Sequence, residues 1–377
     1  MVLVAGMSAC GKGDSTPAQT IEVQIDGRTD EFNAIFNAYF PNILKVHAGD
    51  TVRFRSVFRG EPHTVTAGNL VTDGLAKFEK DLAENADARD HAVHELVQIP
   101  DMFPLTSNAN QVSAQPCFIA EGEPMQGPGP NPCEPVEQPD FDEDKLFYNS
   151  GWIRDGKVFE LRVSEEAEVG TYRFWCALHR SGMTGTLEVV PDSEKIPTPA
   201  EVTAAGKAAL AEKVEELRAP LATAKQRTGP DVVGGVATDL IPEFSVAEFV
   251  PRDVSIPVGG AVTWTITGPH SISFNTDESM HTGFFTSSDH RVHVNPWTFF
   301  PIISEGQPTF PPIPPPAGPP PPQIVVEGGA WDGREVWSSG LMLSYPPPAY
   351  RMTFTQAGTY PYRCLLHPDM EGTVRVG

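Results

Sequence analysis

The feature that most constrains this chain is that it repeats itself. Gly170-Thr-Tyr-Arg-Phe-Trp-Cys-Ala-Leu-His179 returns as Gly358-Thr-Tyr-Pro-Tyr-Arg-Cys-Leu-Leu-His367. Shorter echoes keep the same order upstream: Ala48-Gly-Asp-Thr-Val52 answers Val258-Gly-Gly-Ala-Val262, and Pro62-His63 answers Pro269-His270. Asn149-Ser-Gly151 answers Ser338-Ser-Gly340. Self-similarity over such a span is the mark of a duplicated unit, so one fold is expected twice.

Both units read as β. Ile21-Glu-Val-Gln-Ile25, Ile43-Leu-Lys-Val-His47 and Thr51-Val-Arg-Phe-Arg55 alternate in the first, Val254-Ser-Ile-Pro-Val258 and Ala261-Val-Thr-Trp-Thr-Ile266 in the second. Period-two alternation between Gly- and Asp-containing turns predicts antiparallel sandwiches. The expected fold is therefore all-β, with units over residues 21–192 and 231–377. A helical linker, 193–230, joins them, and residues 1–20 are a leader and tether. Thr198-Pro199-Ala200-Glu201 has capping-box spacing with proline at the first helical position. Val202, Leu210, Val214, Leu217 and Leu221 recur at helical intervals, and Pro220 is expected to end or kink that helix. Each unit carries a long insertion: residues 67–145 in the first, and in the second a stretch that includes the proline-rich run 311–322, read as a stiff extended loop.

With 27 Lys+Arg against 49 Asp+Glu, the net charge of −22 excludes a protein that holds nucleic acid by neutralising phosphates. It favours a partner with a basic face.

The repeated motif carries metal chemistry. Cys176, His179 and Met183 share one short loop between two strands, as do Cys364, His367 and Met370, while His63 and His270 arrive from upstream, each after a proline. A thiolate and two imidazoles with a weak thioether suit copper cycling between Cu(I) and Cu(II) with little rearrangement. Zinc normally takes four strong ligands, and a methionine in the loop is unusual for it.

These residues resemble the cupredoxins, in particular the plastocyanin, amicyanin and pseudoazurin branch with two residues between Cys and His. Cys364-Leu-Leu-His-Pro-Asp-Met370 is similar to an amicyanin loop; Cys176-Ala-Leu-His-Arg-Ser-Gly-Met183 has one residue fewer than a plastocyanin loop. The resemblance implies Greek-key sandwiches, one type-1 (blue) copper per unit, and His179 and His367 near the surface as electron ports. It implies an electron carrier rather than an enzyme, exchanging electrons with a redox protein such as a cytochrome or oxidase. Trp175 and Tyr362, beside the ligand loops, are candidate tunnelling contacts. Laccases and nitrite reductases resemble tandem cupredoxins too, but the His-x-His pairs of the former are missing here. The latter place a copper histidine directly before the cysteine, where this chain has Trp175 and Arg363.

Other residues give further expectations. Asp90-His-Ala-Val-His94 and Asp289-His-Arg-Val-His293 each place two histidines three apart, so His91, His94, His290 and His293 could share helix faces and hold a second metal, with His281 as a further ligand. Packing within a repeated insertion is the alternative for them, and His47 reads as structural. Cys117 and Cys133 enclose fifteen residues, and in an oxidising compartment a disulfide between them would restrain that loop by about 3 kcal/mol. Met1-Val-Leu-Val-Ala-Gly-Met-Ser-Ala-Cys10 resembles the end of a bacterial lipoprotein signal, with Cys10 as the acylated residue. The protein is thus expected outside the cytoplasm, tethered to a membrane by lipid. The alternatives are a copper-binding or storage lipoprotein and a copper oxidase or reductase working at the paired histidines.

Overall fold

Alternation does set the strands. In Thr51–Ser56 the buried side chains are Val52, Phe54 and Ser56, and in Ala261–Ile266 they are Val262, Trp264 and Ile266. The computed structural model describes residues 17–57, 60–84, 139–153, 156–237, 243–287, 291–302, 324–342 and 348–377.

The first half contributes β1 (Thr20–Ile25), β2 (Ala34–Phe36), β3 (Tyr39–Phe40), β4 (Ile43–Val46), β5 (Thr51–Ser56), β6 (Thr66–Ala67), β7 (Tyr148–Asn149), β8 (Val158–Arg162), β9 (Gly170–Cys176) and β10 (Arg180–Val189). They form a four-stranded sheet, β3-β1-β5-β8, facing a five-stranded one, β4-β10-β9-β6-β7. One apolar core lies between the sheets, with Val23, Phe54 and Leu161 from the first meeting Leu44, Phe174 and Leu187 from the second.

The second half contributes β11 (Asp231–Val236), β12 (Phe244–Val250), β13 (Asp253–Ile256), β14 (Ala261–Ile266), β15 (Ser273–Phe274), β16 (Phe284–Thr286), β17 (Val292–Val294), β18 (Ile324–Trp331), β19 (Trp337–Ser338), β20 (Pro348–Phe354), β21 (Gly358–Arg363) and β22 (Glu371–Val376). Its five-stranded sheet, β13-β22-β21-β15-β19, repeats the first half's order strand for strand. Its other sheet, β18-β20-β14-β11-β12-β2, contains the same four-strand series, widened by β18 at one edge and by β2 of the first half at the other. A cis proline follows both β3 (Pro41) and β12 (Pro251).

The sheets are mixed rather than antiparallel. β1 runs parallel to β5, β4 to β10, β11 to β14 and β13 to β22. Alternation reports which face a residue takes, not the direction of the neighbouring strand.

Helix α1 (Asn69–Glu84) lies in the first insertion and was not expected. Its Val71 and Leu75 cover Trp175, with Phe78 packed beside them. Helix α2 (Pro199–Ala224) forms with the expected capping box at Thr198 and Glu201. Pro220 does not end it: Leu217, Leu221 and Ala224 sit in an apolar cluster with Phe36, Phe40, Val246 and Val250, and that burial holds the last turn despite one lost hydrogen bond. Since the cluster draws on both halves, α2 wedges them together. Val202, near its start, joins the first core.

Candidate metal centres

Each ligand loop is pinned by the same polar contacts. The backbone N–H of Thr64 donates to Cys176 Sγ at 3.4 Å, and that of Ser271 to Cys364 Sγ at 3.4 Å. Thr64 Oγ1 accepts from the Ala177 N–H at 2.8 Å, and Ser271 Oγ from the Leu365 N–H at 2.9 Å. The echoed Asn149-Ser-Gly151 and Ser338-Ser-Gly340 now have a purpose. Ser150 Oγ accepts from the Val65 N–H, Ser339 Oγ from the Ile272 N–H, and Gly151 and Gly340 turn the chain with φ of 64° and 66°. His63 and His270 are held by isolated bridges to Ile153 and Met342.

Two clusters of ligand atoms result: His63, Cys176 and His179 in one, His270, Cys364 and His367 in the other, with the donor atoms of each within 4.8 Å of one another. Cys176 Sγ is 3.9 Å from His63 Nδ1; Cys364 Sγ is 4.0 Å from His270 Nδ1 and 3.6 Å from His367 Nδ1. Two ligands around one metal with bonds of about 2.0–2.3 Å at trigonal angles lie roughly 3.5–4 Å apart, so the sulfur–nitrogen spacing fits a shared ion; in the second cluster the two imidazole nitrogens stand closer, His270 Nδ1 to His367 Nδ1 at 2.9 Å. The donor chemistry fits as well. His179 Nδ1 is buried with no hydrogen-bond partner. Met183 and Met370 are buried in the same clusters as the two cysteines.

Electrostatics prepare the thiols as thiolates. Burial pushes both up, but His179 and then His63 outweigh it and hold Cys176 well below the usual thiol range, as His367 and His270 do for Cys364. Burial disfavours charge on the imidazoles too. Against it, Asp26 and Cys176 raise His63 to about 9, Cys176 and Glu61 raise His179 to about 10, and Cys364 and Glu61 raise His367 to about 9. His270 goes the other way: burial dominates and lowers it.

Two acids, neither singled out by the sequence, add to the raised values. Buried Asp26 Oδ2 lies 3.1 Å from His63 Nε2, while its Oδ1 accepts from the backbone N–H groups of Gly27 and Phe36. Glu61, also buried, contacts His179 Nε2 at 2.8 Å with one oxygen and His367 Nε2 at 3.5 Å with the other. Glu61 precedes Pro62-His63, where the second half has Gly268 before Pro269-His270; the mismatch is a signal a repeat comparison can find. Asp26 lies far from any motif and could be found only from strand register.

His367 therefore does not sit near the surface as the resemblance implied. It is 1% exposed, because the ligand loops of the two halves face each other across Glu61. Among the four imidazoles only His179 is not fully buried, its side chain 14% exposed. Trp175 lies beneath α1, and Tyr362 is packed among Trp264, Phe274 and Phe249, so both are interior.

Of the histidines expected at a second metal site, His293 and His281 are among the described residues. His293 lies in strand β17, not on a helix; its ring stacks on Phe285 and its Nε2 pairs with Ser287 Oγ at 3.0 Å. The alternation around Val292 and Val294 in a short hairpin overrides the helical spacing. His281 pairs with Thr276 and accepts from Arg363. Neither belongs to a metal-binding cluster among the described residues. The β16–β17 hairpin instead packs Phe284 and Val292 on Ala177 and Leu178 of the first ligand loop. His47 is structural, its Nε2 on the Glu194 carbonyl. Cys10, His91, His94, Cys117, Cys133 and His290 lie outside the described residues.

No family model matches the chain, and no curated protein matches it. Solved structures do. Auracyanin from Roseiflexus castenholzii is 18% identical over 46% of this chain and 97% of its own, at a TM-score of 0.23. Auracyanin A, a "blue" copper protein from Chloroflexus aurantiacus, is 17% identical over 45% and 98%, at 0.24. A purple cupredoxin from Nitrosopumilus maritimus is 17% identical over 39% and 98%, at 0.19. Overlaps at this level carry no functional weight.

Proposed function

We propose that this chain is an electron carrier with two type-1 copper sites, one held by His63, Cys176, His179 and Met183 and the other by His270, Cys364, His367 and Met370. The observation that carries the reading is the pair of buried N/S/N clusters, each spaced for one ion and each closed by the same backbone and hydroxyl pins. Bound copper would supply one-electron chemistry with little change in ligand geometry. The chain's part is to fix the ligands on opposed strands and to exclude water. The repeated strand order supports an origin by duplication.

The donor and acceptor are read as redox proteins with a basic face, drawn by the net charge of −22. The partially exposed His179 is the ligand through which such a partner would exchange electrons. The setting is read as extracytoplasmic, with lipid at Cys10 as the tether; among the described residues no helix is long and apolar enough to cross a membrane.

The test is copper titration of the metal-free protein. Two equivalents should bind, with an intense thiolate-to-copper visible band that bleaches on reduction; Cys176→Ser and Cys364→Ser should each remove one equivalent and part of the band. Tight copper binding without that band would leave a storage protein instead.

A further inference from the structure

The Glu61 carboxylate touches both ligand loops. Oε2 meets Nε2 of His179 at 2.8 Å and Oε1 faces Nε2 of His367 at 3.5 Å, and the side chain is buried. On each imidazole the nitrogen facing Glu61 is the one left over when Nδ1 serves a metal; His367 Nδ1 is the atom 3.6 Å from Cys364 Sγ. The two sites are thus joined by a chain of two imidazole rings and one carboxylate, with no gap wider than a long polar contact.

The surroundings keep this junction closed. Asn33 of the first half donates to the carbonyls of Ala247 and Pro368, the latter directly after His367. Phe284 of the second half lies on Ala177 of the first ligand loop, and Trp152 packs edge-on against it. Because Gly268 stands where Glu61 stands in the other half, the bridge is a single carboxylate shared by two sites rather than one per site.

Resting on the copper reading above, we propose that Glu61 makes the two sites one electron-transfer unit, carrying electrons between the halves through His179, its own carboxylate and His367. One electron leaves a reduced ion, Cu(I) becoming Cu(II), and reduces the oxidised ion of the other site, Cu(II) becoming Cu(I). No bond forms or breaks, and no proton leaves the junction. Glu61 is a positioning residue here: it fixes the two rings against each other and fills the space that water would otherwise enter.

Two measurements on the full chain test this. In the metal-free protein, the imidazole N–H protons of His179 and His367 should both be slow to exchange with solvent. Both should become fast in Glu61→Ala, and at least one should in Glu61→Gln, whose amide can accept at only one oxygen. In the copper-loaded protein, a pulse delivering less than one electron per chain should be followed by concentration-independent equilibration between the sites. That step should slow at least tenfold in Glu61→Ala and by less in Glu61→Gln, while the absorption of each site stays as in the parent. Equilibration at the parental rate in both variants, or loss of exchange protection at only one histidine in Glu61→Ala, overturns the bridge. If Glu61→Ala does not fold, the Gln variant decides, since an unchanged rate together with unchanged protection at both rings overturns it equally. A missing thiolate-to-copper band in the parent would instead defeat the copper reading, before the junction is reached.

Discussion

Asp26 and Gly235 occupy equivalent positions in the two halves. Each lies one residue beyond the last parallel pair of its strand, Ile25 with Ser56 and Gly234 with Ile266, and each has positive φ, 63° and 82°. Each faces Nε2 of the upstream histidine: Asp26 Oδ2 is 3.1 Å from His63, and a Cβ built on Gly235 would lie 2.5 Å from His270. One site therefore has a carboxylate behind its histidine and the other has bare backbone. A carboxylate behind a ligand imidazole raises its basicity and favours the more highly charged metal ion. The first site should have the lower reduction potential. Replacing such a partner typically changes metal affinity 10–100-fold, so Asp26→Asn should raise the first site's potential by about 60–120 mV. Spectroelectrochemical titration in a Cys364→Ser background measures it, and the second site, read in Cys176→Ser, should not move.

Gly235 cannot be exchanged for a residue with a side chain. Its added Cβ would meet the Thr267 carbonyl oxygen at 2.1 Å as well as the His270 ring, and its backbone is left-handed. Gly235→Ala should displace His270, cost several kcal/mol and abolish copper binding at the second site while sparing the first. Metal content and the visible spectrum check this.

Metal-free protein should lose stability as pH rises above neutrality. His63, His179 and His367 hold protons in the folded chain to about 9, 10 and 9, His270 is neutral, and both thiols are already ionised. In the unfolded chain the imidazoles lose protons near 6.5 and the thiols keep theirs to about 8.5. Between roughly pH 7 and 8.5 the three imidazoles that keep protons in the folded chain outnumber the two thiols that have lost theirs, so the folded sites bind more protons than the unfolded ones and stability should fall as pH rises. The imidazole contribution, complete below about 6.5, is gone once pH passes 9–10. Thermal unfolding from pH 7 to 10 should show the decline in apoprotein. Bound metal removes these protons and with them this slope.

Phe284 belongs to the second half, yet it seals the first site. It is buried against Ala177, Trp152 and Phe299. Phe284→Ala should cost about 3 kcal/mol. In a Cys364→Ser background it should also speed removal of copper by a chelator, because water reaches the first ligand loop.

Much of this arrangement was legible in the residues. The duplicated Cys-x-x-His loops and the Pro-His segments converge as their repetition suggested, and the capped helix begins at Thr198. Helix α1 has a signal in the residues too, since Val71, Leu75 and Phe78 stand at helical spacing inside the first insertion. What could not be read is what depends on strand register and on the contact between halves. Asp26 reaches His63 only because β1 lies parallel to β5, and Glu61 reaches His367 only because the ligand loops meet. His293 shows the converse: its spacing suggested a helix, and a two-stranded hairpin holds it instead.

Strand β2 has a consequence for how such a protein is made. Its residues are translated early, but they pair with β12, whose residues Phe244–Val250 emerge some two hundred positions later. Until then an apolar edge of the nascent chain, Ala34, Ile35 and Phe36, waits without its neighbour. The halves are therefore not beads to be folded one after the other and cut apart at will. Separating them at the linker would leave the earlier half exposing a sticky strand and the later half with an open sheet, so separately expressed halves should be sought as a reassembled pair.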